Sequence, residues 1–280
     1  MHRPQTRPTR WTRWTLAAPL LLLLGCSHVG GTPAATYSPV LDRILSRGEL
    51  VVGTAASMPP LNMTTRSGEI IGLEPDLAAY LASAMGVKLR LERLQFSELL
   101  GALETGKVDM VLSAMTITPE RNLRVAFAGP YFVSGKCVLT KASSLASAES
   151  AAEINSANLT VTALQGSTSQ AFVEKLIPAA RLTTAPDYDT AVSRVLSGEA
   201  DVMIADYPIC LVAHARNPDS DLVSVITRLT HEPIGIALPA GDPLLLNFVD
   251  NLLQGLEFTG RLAQLQDRWF EDASWLEQLP

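Results

Sequence analysis

Residue types that build metal centres and nucleophilic active sites are scarce in this chain. Its 280 residues include three cysteines and four histidines. Those beyond the N-terminal segment are scattered and do not repeat the short spacings of a metal site: Cys137, Cys210, His28, His214 and His231. No Ser/His/Asp or Cys/His grouping for nucleophilic catalysis is recognisable either. The sequence therefore predicts a protein that uses no metal ion, cofactor or nucleophilic catalyst.

Cysteine content also says little about covalent structure. Cys137 and Cys210 lie far apart in the sequence, and only the tertiary structure decides whether two such residues meet in a disulfide. The sequence leaves that pairing open, and we expect both side chains to be buried and unreactive thiols.

Basic clusters and long apolar runs are missing beyond the N-terminus. The whole chain has 28 acidic and 22 basic residues, a formal net charge of -6. Beyond residue 25 it contains no run of about 18 apolar residues of the kind that spans a bilayer. An acidic chain without a basic cluster is a poor ligand for nucleic acid, so we expect no nucleic-acid partner.

The first 25 residues read as a targeting segment. Four arginines precede an apolar stretch from Leu16 to Leu24, which is too short to span a membrane as a mature helix. Leu23-Leu24-Gly25-Cys26 then resembles a bacterial lipobox, so we predict a lipoprotein signal peptide over 1–25, lipidation of Cys26 and a tether over 26–40. An ordinary secretory signal is the alternative. Cleavage would remove four arginines and no acid, which changes the formal charge from -6 to -10.

Strand-like and helix-like segments alternate from about residue 49. A short apolar run at 50–54 is followed by a segment at 74–85 with apolar residues at helical spacing, and Gly86 provides a helix end. Further pairs of this kind follow, with strands predicted at 88–94, 108–112 and 160–164. The alternation predicts an α/β architecture with largely parallel sheets.

One pattern occurs twice. Residues 106–113 (GKVDMVLS) and 198–205 (GEADVMIA) share a glycine, an aspartate three residues later and an apolar strand that leads into a polar loop. Ligands of open α/β sheets bind beyond the carboxyl ends of strands. The carboxyl ends of these two strands suggest two similar lobes that face one cleft. Chance similarity of two helix–strand units would produce the same pattern.

The loop after the first of these strands runs from Ser113 to Arg121. Thr118 is predicted as a helix N-cap, with Pro119 at the first helical position. Arg121 then stands at the positive end of a helix, where a cation is unfavourable without a neighbouring anion. From these residues alone, an internal salt bridge and an anionic ligand are equally good explanations.

Two further polar segments can likewise be interpreted either as helix caps or as ligand contacts. Gly166, Ser167 and Thr168 follow a predicted strand and precede a helix, so they can bind an anion or simply cap that helix. Asp206 follows the second copy of the repeated pattern. Its carboxylate can cap the next helix or contact a cationic group of a ligand.

Taken in order, these segments resemble the family 3 extracellular solute-binding proteins, the periplasmic amino-acid receptors of bacterial ABC importers. The resemblance covers about residues 41–271. It rests on segments that are individually weak and jointly specific: LDRIL at 41–45, GLEPDL at 72–77, GKVD at 106–109, MTITPER at 115–121, AFAGPY at 126–131, QGST at 165–168 and Ala205-Asp206.

The resemblance implies a two-lobed periplasmic-binding-protein type II fold. Lobe 1 would contain residues 45–131 and 237–275, and lobe 2 would contain residues 137–231. Two connecting strands, near 132–136 and 232–235, would act as a hinge that closes the lobes on one amino acid.

The resemblance also assigns roles at the site. Arg121 would bind the ligand carboxylate through two parallel hydrogen bonds, and Asp206 would accept from its ammonium. The remaining contacts implied are the backbone N–H groups of Ala114 and Thr116, the loop residue Ser113, the Thr116 hydroxyl, and Ser167 and Thr168 from lobe 2.

Side-chain selection would depend on Met58 and Phe96. Members of the family that bind basic amino acids often have an acid where this chain has Ala55. Met58 and Phe96 favour a neutral or apolar ligand side chain, unless another acid such as Glu74 compensates.

We therefore expect a monomeric, lipid-anchored receptor on the periplasmic face of the cell envelope that delivers an amino acid to an ABC permease. The chain also resembles periplasmic cyclohexadienyl dehydratases, in LDRIL, in Pro130-Tyr131 and in Gly135-Lys136. Those enzymes have a glutamate three residues beyond the strand-end aspartate, where this chain has Ile209, so the required general acid is missing. A ligand-sensing partner of a membrane signalling protein is the third possibility.

Overall fold

The computed structural model describes residues 38–146, 150–225 and 230–280. The predicted signal peptide, Cys26 and most of the predicted tether lie outside these residues. Within the described ranges, no helix is both long and apolar enough to cross a bilayer.

The described residues from Pro39 to Thr140 form four helices and eight strands, with one 3-10 helix among them. In order these are α1 (Pro39–Arg47), β1 (Glu49–Thr54), β2 (Ser57–Met58), β3 (Asn62–Thr64), β4 (Ile70–Ile71), α2 (Leu73–Met85), β5 (Lys88–Arg93), the 3-10 helix (Phe96–Glu98), α3 (Leu99–Glu104), β6 (Met110–Val111), α4 (Pro119–Asn122), β7 (Ala126–Ser134) and β8 (Lys136–Thr140).

The second half has the same mixed character. Its elements are α5 (Ser143–Ala146), a 3-10 helix (Ala151–Ile154), β9 (Thr160–Leu164), α6 (Thr168–Leu176), β10 (Arg181–Ala185), α7 (Tyr188–Ser197), β11 (Val202–Asp206), α8 (Tyr207–Arg216), β12 (Val223–Val225), β13 (Glu232–Leu238), α9 (Pro243–Phe258), α10 (Arg261–Phe270) and a 3-10 helix (Ala273–Gln278).

Two five-stranded sheets organise these elements into two lobes. The sheet of lobe 1 has the order β5-β1-β6-β13-β7, and that of lobe 2 has the order β10-β9-β11-β8-β12. In each sheet the first three strands are mutually parallel, and the fourth runs antiparallel to both neighbours. The predicted α/β architecture is confirmed, but the two sheets are mixed and not largely parallel as predicted. A small sheet, β2-β3-β4, completes lobe 1.

The repeated sequence pattern occupies the same place in both lobes. Its strands, β6 and β11, are the central strands of their sheets, and the glycine before each has a left-handed φ, +72° and +79° respectively. Asp109 accepts a hydrogen bond from the Val51 N–H at 2.8 Å, and Asp201 accepts one from the Thr160 N–H at 2.8 Å. In each lobe the aspartate therefore ties the central strand to its parallel neighbour, so the sequence similarity reflects a shared structure.

The connections between the lobes are a pair of hydrogen-bonded strands. β7 and β13 pair antiparallel, with Ala126 opposite Leu238 in lobe 1 and Ser134 opposite Glu232 at the far end. β7 leads through Gly135 directly into β8 of lobe 2. Any ligand-binding group on these strands is therefore placed at the junction of the two lobes.

The folded part begins earlier than the predicted tether allows. Ser38 and Val40, which the prediction placed in the tether, are both buried. The Asp242 carboxylate accepts hydrogen bonds from the Ser38 hydroxyl and from the N–H groups of Val40 at 2.9 Å, Leu41 at 3.1 Å and Leu245 at 3.0 Å. One buried carboxylate thus caps both α1 and α9, which holds the chain from Ser38 onward on lobe 1.

Replacing Asp242 with alanine is expected to lower the free energy of unfolding by about 2–3 kcal/mol, because two helices lose their cap. Burial tends to raise the pKa of Asp242, but its four hydrogen-bond donors outweigh burial and lower it below 3.8. Its stabilising contribution is therefore present at neutral pH and is lost as the pH falls through the folded-state pKa. Urea unfolding at pH 7 and pH 3 measures both effects.

Asp272→Ala is the matched control for this experiment. Asp272 also caps a helix, accepting from the Ser274 N–H at 2.9 Å, but it is exposed and serves only the last 3-10 helix. Its replacement is expected to cost less than about 1 kcal/mol. Equal effects of the two substitutions would contradict the double-capping role of Asp242.

The two cysteines are joined in a disulfide, which decides the pairing that the sequence left open, so they are not the unreactive thiols that we expected. Cys137 in β8 and Cys210 in α8 form a disulfide with a Cα–Cα distance of 6.5 Å and a sequence separation of 73. Both residues are fully buried. The bond attaches the first turns of α8 to β8, beside Lys136 at the start of β8 and Asp206 at the end of β11.

Candidate ligand-binding site

Arg121 extends from the first turn of α4 toward lobe 2. Thr118 caps this turn as predicted, because its Oγ1 accepts from the Arg121 N–H at 3.2 Å. The guanidinium donates to the Thr116 carbonyl at 2.8 Å and, in lobe 2, to the Gly166 carbonyl at 3.1 Å. Its Cζ lies 5.7 Å from the centre of the Phe96 ring, within cation–π distance. Arg121 therefore lies where the two lobes meet.

The Arg121 guanidinium has no ion-pair partner in the described part of the chain. The internal salt bridge that the sequence allowed is therefore not formed there. Burial lowers the pKa of Arg121, and the negative charges of Asp206 and Glu232 act in the opposite direction. A half-buried cation whose hydrogen-bond partners are two carbonyls is suited to an anionic ligand.

The loop that carries Thr116 is held by the hinge strand β13. The Ile117 N–H donates to the Pro233 carbonyl at 2.8 Å, and the Gly235 N–H donates to the Met115 carbonyl at 3.1 Å. A Cβ on Gly235 would lie 2.8 Å from the Ile117 side chain, so this close approach requires glycine. Thr116 is 4% exposed, and its position is determined by the hinge.

Two predicted lobe-1 contacts are already used inside the protein. The Ala114 N–H donates to a Glu74 oxygen at 2.6 Å, and the Ser113 hydroxyl accepts from the Ala55 N–H at 2.9 Å. Ser113 is completely buried. Both residues shape the loop from within lobe 1, and these two groups are not free to contact a ligand.

Glu74 likewise belongs to the interior of lobe 1. Besides the Ala114 N–H, its carboxylate accepts from the Tyr131 hydroxyl and the Asn62 amide. Burial raises the pKa of Glu74, and these hydrogen bonds offset part of that effect. Since Glu74 is 1% exposed and its carboxylate is occupied, it is not placed to compensate for the missing acid at Ala55.

The sequence allowed the turn at Ser167 and Thr168 to cap a helix or to bind an anion, and the capping role belongs to Ser167. Ser167 is the N-cap of α6: its hydroxyl accepts from the Gln170 N–H at 3.2 Å and donates to the Leu164 carbonyl at 2.7 Å. Thr168 instead turns its hydroxyl toward the other lobe, 3.4 Å from the Thr116 hydroxyl. Of the two side chains, Thr168 faces the junction of the lobes.

Asp206 does not cap the helix that follows it, since its side chain makes no capping hydrogen bond with α8. Its carboxylate accepts instead from the Lys136 ammonium at 2.6 Å. The two residues are directly opposite each other in the antiparallel pair β8–β11. Lys136 is 1% exposed, so this is a buried ion pair at the point where the lobes join.

Glu232, at the start of β13, completes this group of charges. One of its oxygens lies 3.4 Å from the Lys136 ammonium and accepts from the Thr168 hydroxyl at 3.1 Å. The other accepts from the Thr230 hydroxyl at 2.8 Å. Burial tends to raise the pKa of Glu232, but the Lys136 charge and the surrounding hydroxyl donors lower it overall. Glu232 is therefore ionised at neutral pH.

Lys136 and Glu232 were not predicted as site residues. The sequence contained weak signals for both, because Gly135-Lys136 took part in a resemblance and residue 232 begins a predicted connecting strand. Tyr188 was also missed: burial raises its pKa well above 10.0, and the charge of Asp206 acts in the same direction. Neither spacing nor composition indicates that these residues lie beside Asp206.

The two residues predicted to select the ligand side chain have different positions. Phe96 lies under Arg121 and borders a cavity of about 400 Å³ that both lobes line, with Ser57 and Pro186 among its walls. Met58 is 1% exposed and packs inside lobe 1, its sulfur 4.0 Å from the Ser113 hydroxyl. A second cavity, of about 440 Å³, is lined in part by Arg121, Thr168 and Glu232.

Two lobes joined by paired strands, with a cation from one lobe near carboxylates of the other, define a two-lobed ligand-binding protein. The chain belongs to the bacterial extracellular solute-binding proteins, family 3, whose family model matches residues 50–272.

Similar proteins include both receptors and an enzyme. The L-cystine-binding protein of Escherichia coli is 24% identical over 253 residues, covering 90% of this chain and 94% of that protein. The cyclohexadienyl dehydratase of Pseudomonas aeruginosa is 27% identical over 231 residues, covering 82% and 86% respectively.

Solved structures with the same two-lobed fold are also similar in sequence. A binding component of an ABC transporter from Wolinella succinogenes, complexed with lysine, is 38% identical with a TM-score of 0.78, covering 82% of this chain and 99% of that one. An ancestral amino-acid-binding protein described as a precursor of cyclohexadienyl dehydratase is 36% identical with a TM-score of 0.76, at the same coverage.

Proposed function

We propose that this protein is a receptor that captures an amino acid between its lobes and delivers it to an ABC permease. The observation that carries this proposal is the arrangement of Arg121, which has no carboxylate partner among the described residues, and Asp206, which has no capping role. The ligand carboxylate would bind the Arg121 guanidinium and the Thr116 loop. Its ammonium would bind near Asp206, and Thr168 would close on the ligand from lobe 2. A zwitterion satisfies groups of both lobes at once, which favours closure.

The proposed ligand has a neutral or apolar side chain. Supporting this are the aromatic wall formed by Phe96 and the absence of a free acid in the described part of the first loop, where Ala55 and Met58 stand and where Glu74 is occupied internally. Two acids, Glu98 and Asp187, border the Phe96 cavity. Both already accept hydrogen bonds, from the Gln95 N–H at 3.4 Å and the Thr190 N–H at 2.8 Å, so a cationic side chain would have to compete for its counter-charge.

Attachment to the envelope through a lipid on Cys26 is part of the proposal. It is supported by the Leu-Leu-Gly-Cys sequence at the end of the apolar N-terminal stretch. The receptor would then act as a monomer at the periplasmic face of the envelope, on the outer surface of the cytoplasmic membrane or the inner leaflet of the outer membrane.

A dehydratase is the second candidate, because the P. aeruginosa enzyme is among the similar proteins. The expected position of the general acid is occupied here by Ile209, a buried residue in the first turn of α8. An isoleucine cannot transfer a proton to a departing hydroxyl, which is why we rank the receptor first. A partner role for a membrane sensor would use the same site and remains compatible with the same ligand.

Titration calorimetry of the purified protein against the twenty common L-amino acids tests this proposal. We expect saturable binding of at least one amino acid with an uncharged side chain, and no turnover of prephenate or arogenate. Failure to bind any amino acid, together with turnover of either cyclohexadienyl compound, would reverse the ranking of receptor and enzyme.

A further inference from the structure

The cleft already contains an ammonium group of the protein itself. Lys136 is 1% exposed, and its Nζ lies 2.6 Å from an Asp206 oxygen, 2.7 Å from the Thr168 hydroxyl and 3.4 Å from a Glu232 oxygen. An ammonium has three donors, so these three partners can satisfy it completely. A ligand ammonium that approaches Asp206 would therefore share this carboxylate with Lys136.

The formal charges of the surrounding side chains determine which ligand charge is compatible with this shared carboxylate. Lys136 compensates one of the two carboxylates, so Asp206 and Glu232 together keep one negative charge uncompensated. Arg121, at the other side of the junction, provides one uncompensated positive charge. These four groups sum to zero, and a ligand with one carboxylate and one ammonium neutralises both ends without a remainder.

An additional charge on the ligand would not be neutralised by these four groups. Uncompensated charges in a partly buried site interact much more strongly than in water and are costly to desolvate. Glu74 does not alter the balance, since its carboxylate is enclosed by Tyr131, Asn62 and the Ala114 N–H.

We propose that Lys136 determines the charge class of the ligand, by setting the net charge of the four-residue group Arg121, Lys136, Asp206 and Glu232 to zero. This inference rests on the proposed receptor function and adds to it the residue that excludes lysine and arginine as ligands. Asp206 alone cannot distinguish a ligand with one positive group from a ligand with two, because its carboxylate attracts both groups.

Three variants of the full protein change this charge in a controlled way. Lys136→Met gives the group a charge of -1, Glu232→Gln gives +1, and the double variant returns it to zero. Lys141→Met is the control. Lys141 lies in the same lobe, is exposed, and donates to the Leu196 carbonyl at 3.2 Å.

The readout is the ratio of dissociation constants, by calorimetry, for the best-bound uncharged amino acid, for L-lysine and for L-glutamate. Lys136→Met is expected to shift the ratio toward lysine by about tenfold or more, and Glu232→Gln toward glutamate by a similar factor. The double variant is expected to return to within about threefold of the original ratios, and Lys141→Met to leave them unchanged.

The outcomes separate the two proposals. Ratios that stay constant in Glu232→Gln, or a double variant whose ratios do not return to those of the unmodified protein, would overturn the charge role of Lys136 even if Lys136→Met alone did not fold. An unmodified protein that prefers lysine or arginine to every uncharged amino acid would also overturn it, while leaving the receptor function intact. Absence of binding to any amino acid would overturn both.

Discussion

Arg121→Ala is expected to reduce amino-acid affinity by about 100-fold or more while leaving the fold intact. Truncating one partner of a desolvated, charge-assisted hydrogen bond costs about 2–5 kcal/mol, because the other charge is left unpaired. Here the unpaired charge would be the ligand carboxylate. The guanidinium contributes two hydrogen bonds to carbonyls, of Thr116 and Gly166, and no ion pair in the described residues, so its removal should affect binding much more than stability.

Two other variants make this experiment specific. Arg121→Lys retains the charge but not the planar pair of donors, so an intermediate loss is expected. Arg124→Ala is the control: Arg124 lies three residues further along, is exposed, and pairs with Glu104 at 2.7 Å. Titration calorimetry with the best-bound amino acid provides the affinities. If Arg121→Ala bound that ligand within a few-fold of the unmodified protein, carboxylate recognition by Arg121 would be wrong.

Removing the disulfide with Cys137→Ala and Cys210→Ala together is expected to lower the free energy of unfolding by about 4 kcal/mol. The estimate follows from the chain entropy that a cross-link removes from the unfolded state, for cysteines separated by 73 residues. Urea unfolding followed by circular dichroism measures the change. The bond also holds α8 against β8, next to the Lys136–Asp206 pair. Its removal should therefore also reduce ligand affinity, but by less than Arg121→Ala does.

Reductant provides the internal control for the disulfide. Unfolding of the unmodified protein in the presence of dithiothreitol should shift toward that of the double variant, whereas the double variant itself should not respond. An unmodified protein whose unfolding midpoint is the same with and without reductant would contradict a stabilising disulfide.

Local sequence patterns predicted the elements well because their causes are local. Thr118 and Pro119 begin α4 through a side-chain cap and a fixed φ, which need no partner elsewhere in the chain. The repeated Gly-x-x-Asp segment was a correct indication of two similar lobes, since its glycine and aspartate act on the adjoining helix and strand. The presence of Arg121 at a helix start was therefore readable from the sequence.

The partners of polar groups were not readable in the same way. Ala114 was expected to offer its N–H to a ligand, but Glu74, which comes from α2, accepts it. Met58 was expected to select the ligand side chain, yet it packs inside lobe 1. Both results depend on how α2 and β2 pack against the loop at 113–116, and no pattern within either segment specifies that packing.

By itself, then, the sequence determined the α/β class, the order of the elements, and the placement of Arg121, Thr168 and Asp206 at the ends of strands or the starts of helices. Only the tertiary structure decided which charges meet. The register of β8 against β11 places Lys136 opposite Asp206, and the crossing of β13 brings Glu232 to the same ammonium. These contacts depend on the pairing of strands that lie 70 or more residues apart in the sequence. A buried charge is tolerated only where the folded chain supplies an opposite charge, and strand pairing decides which residue supplies it.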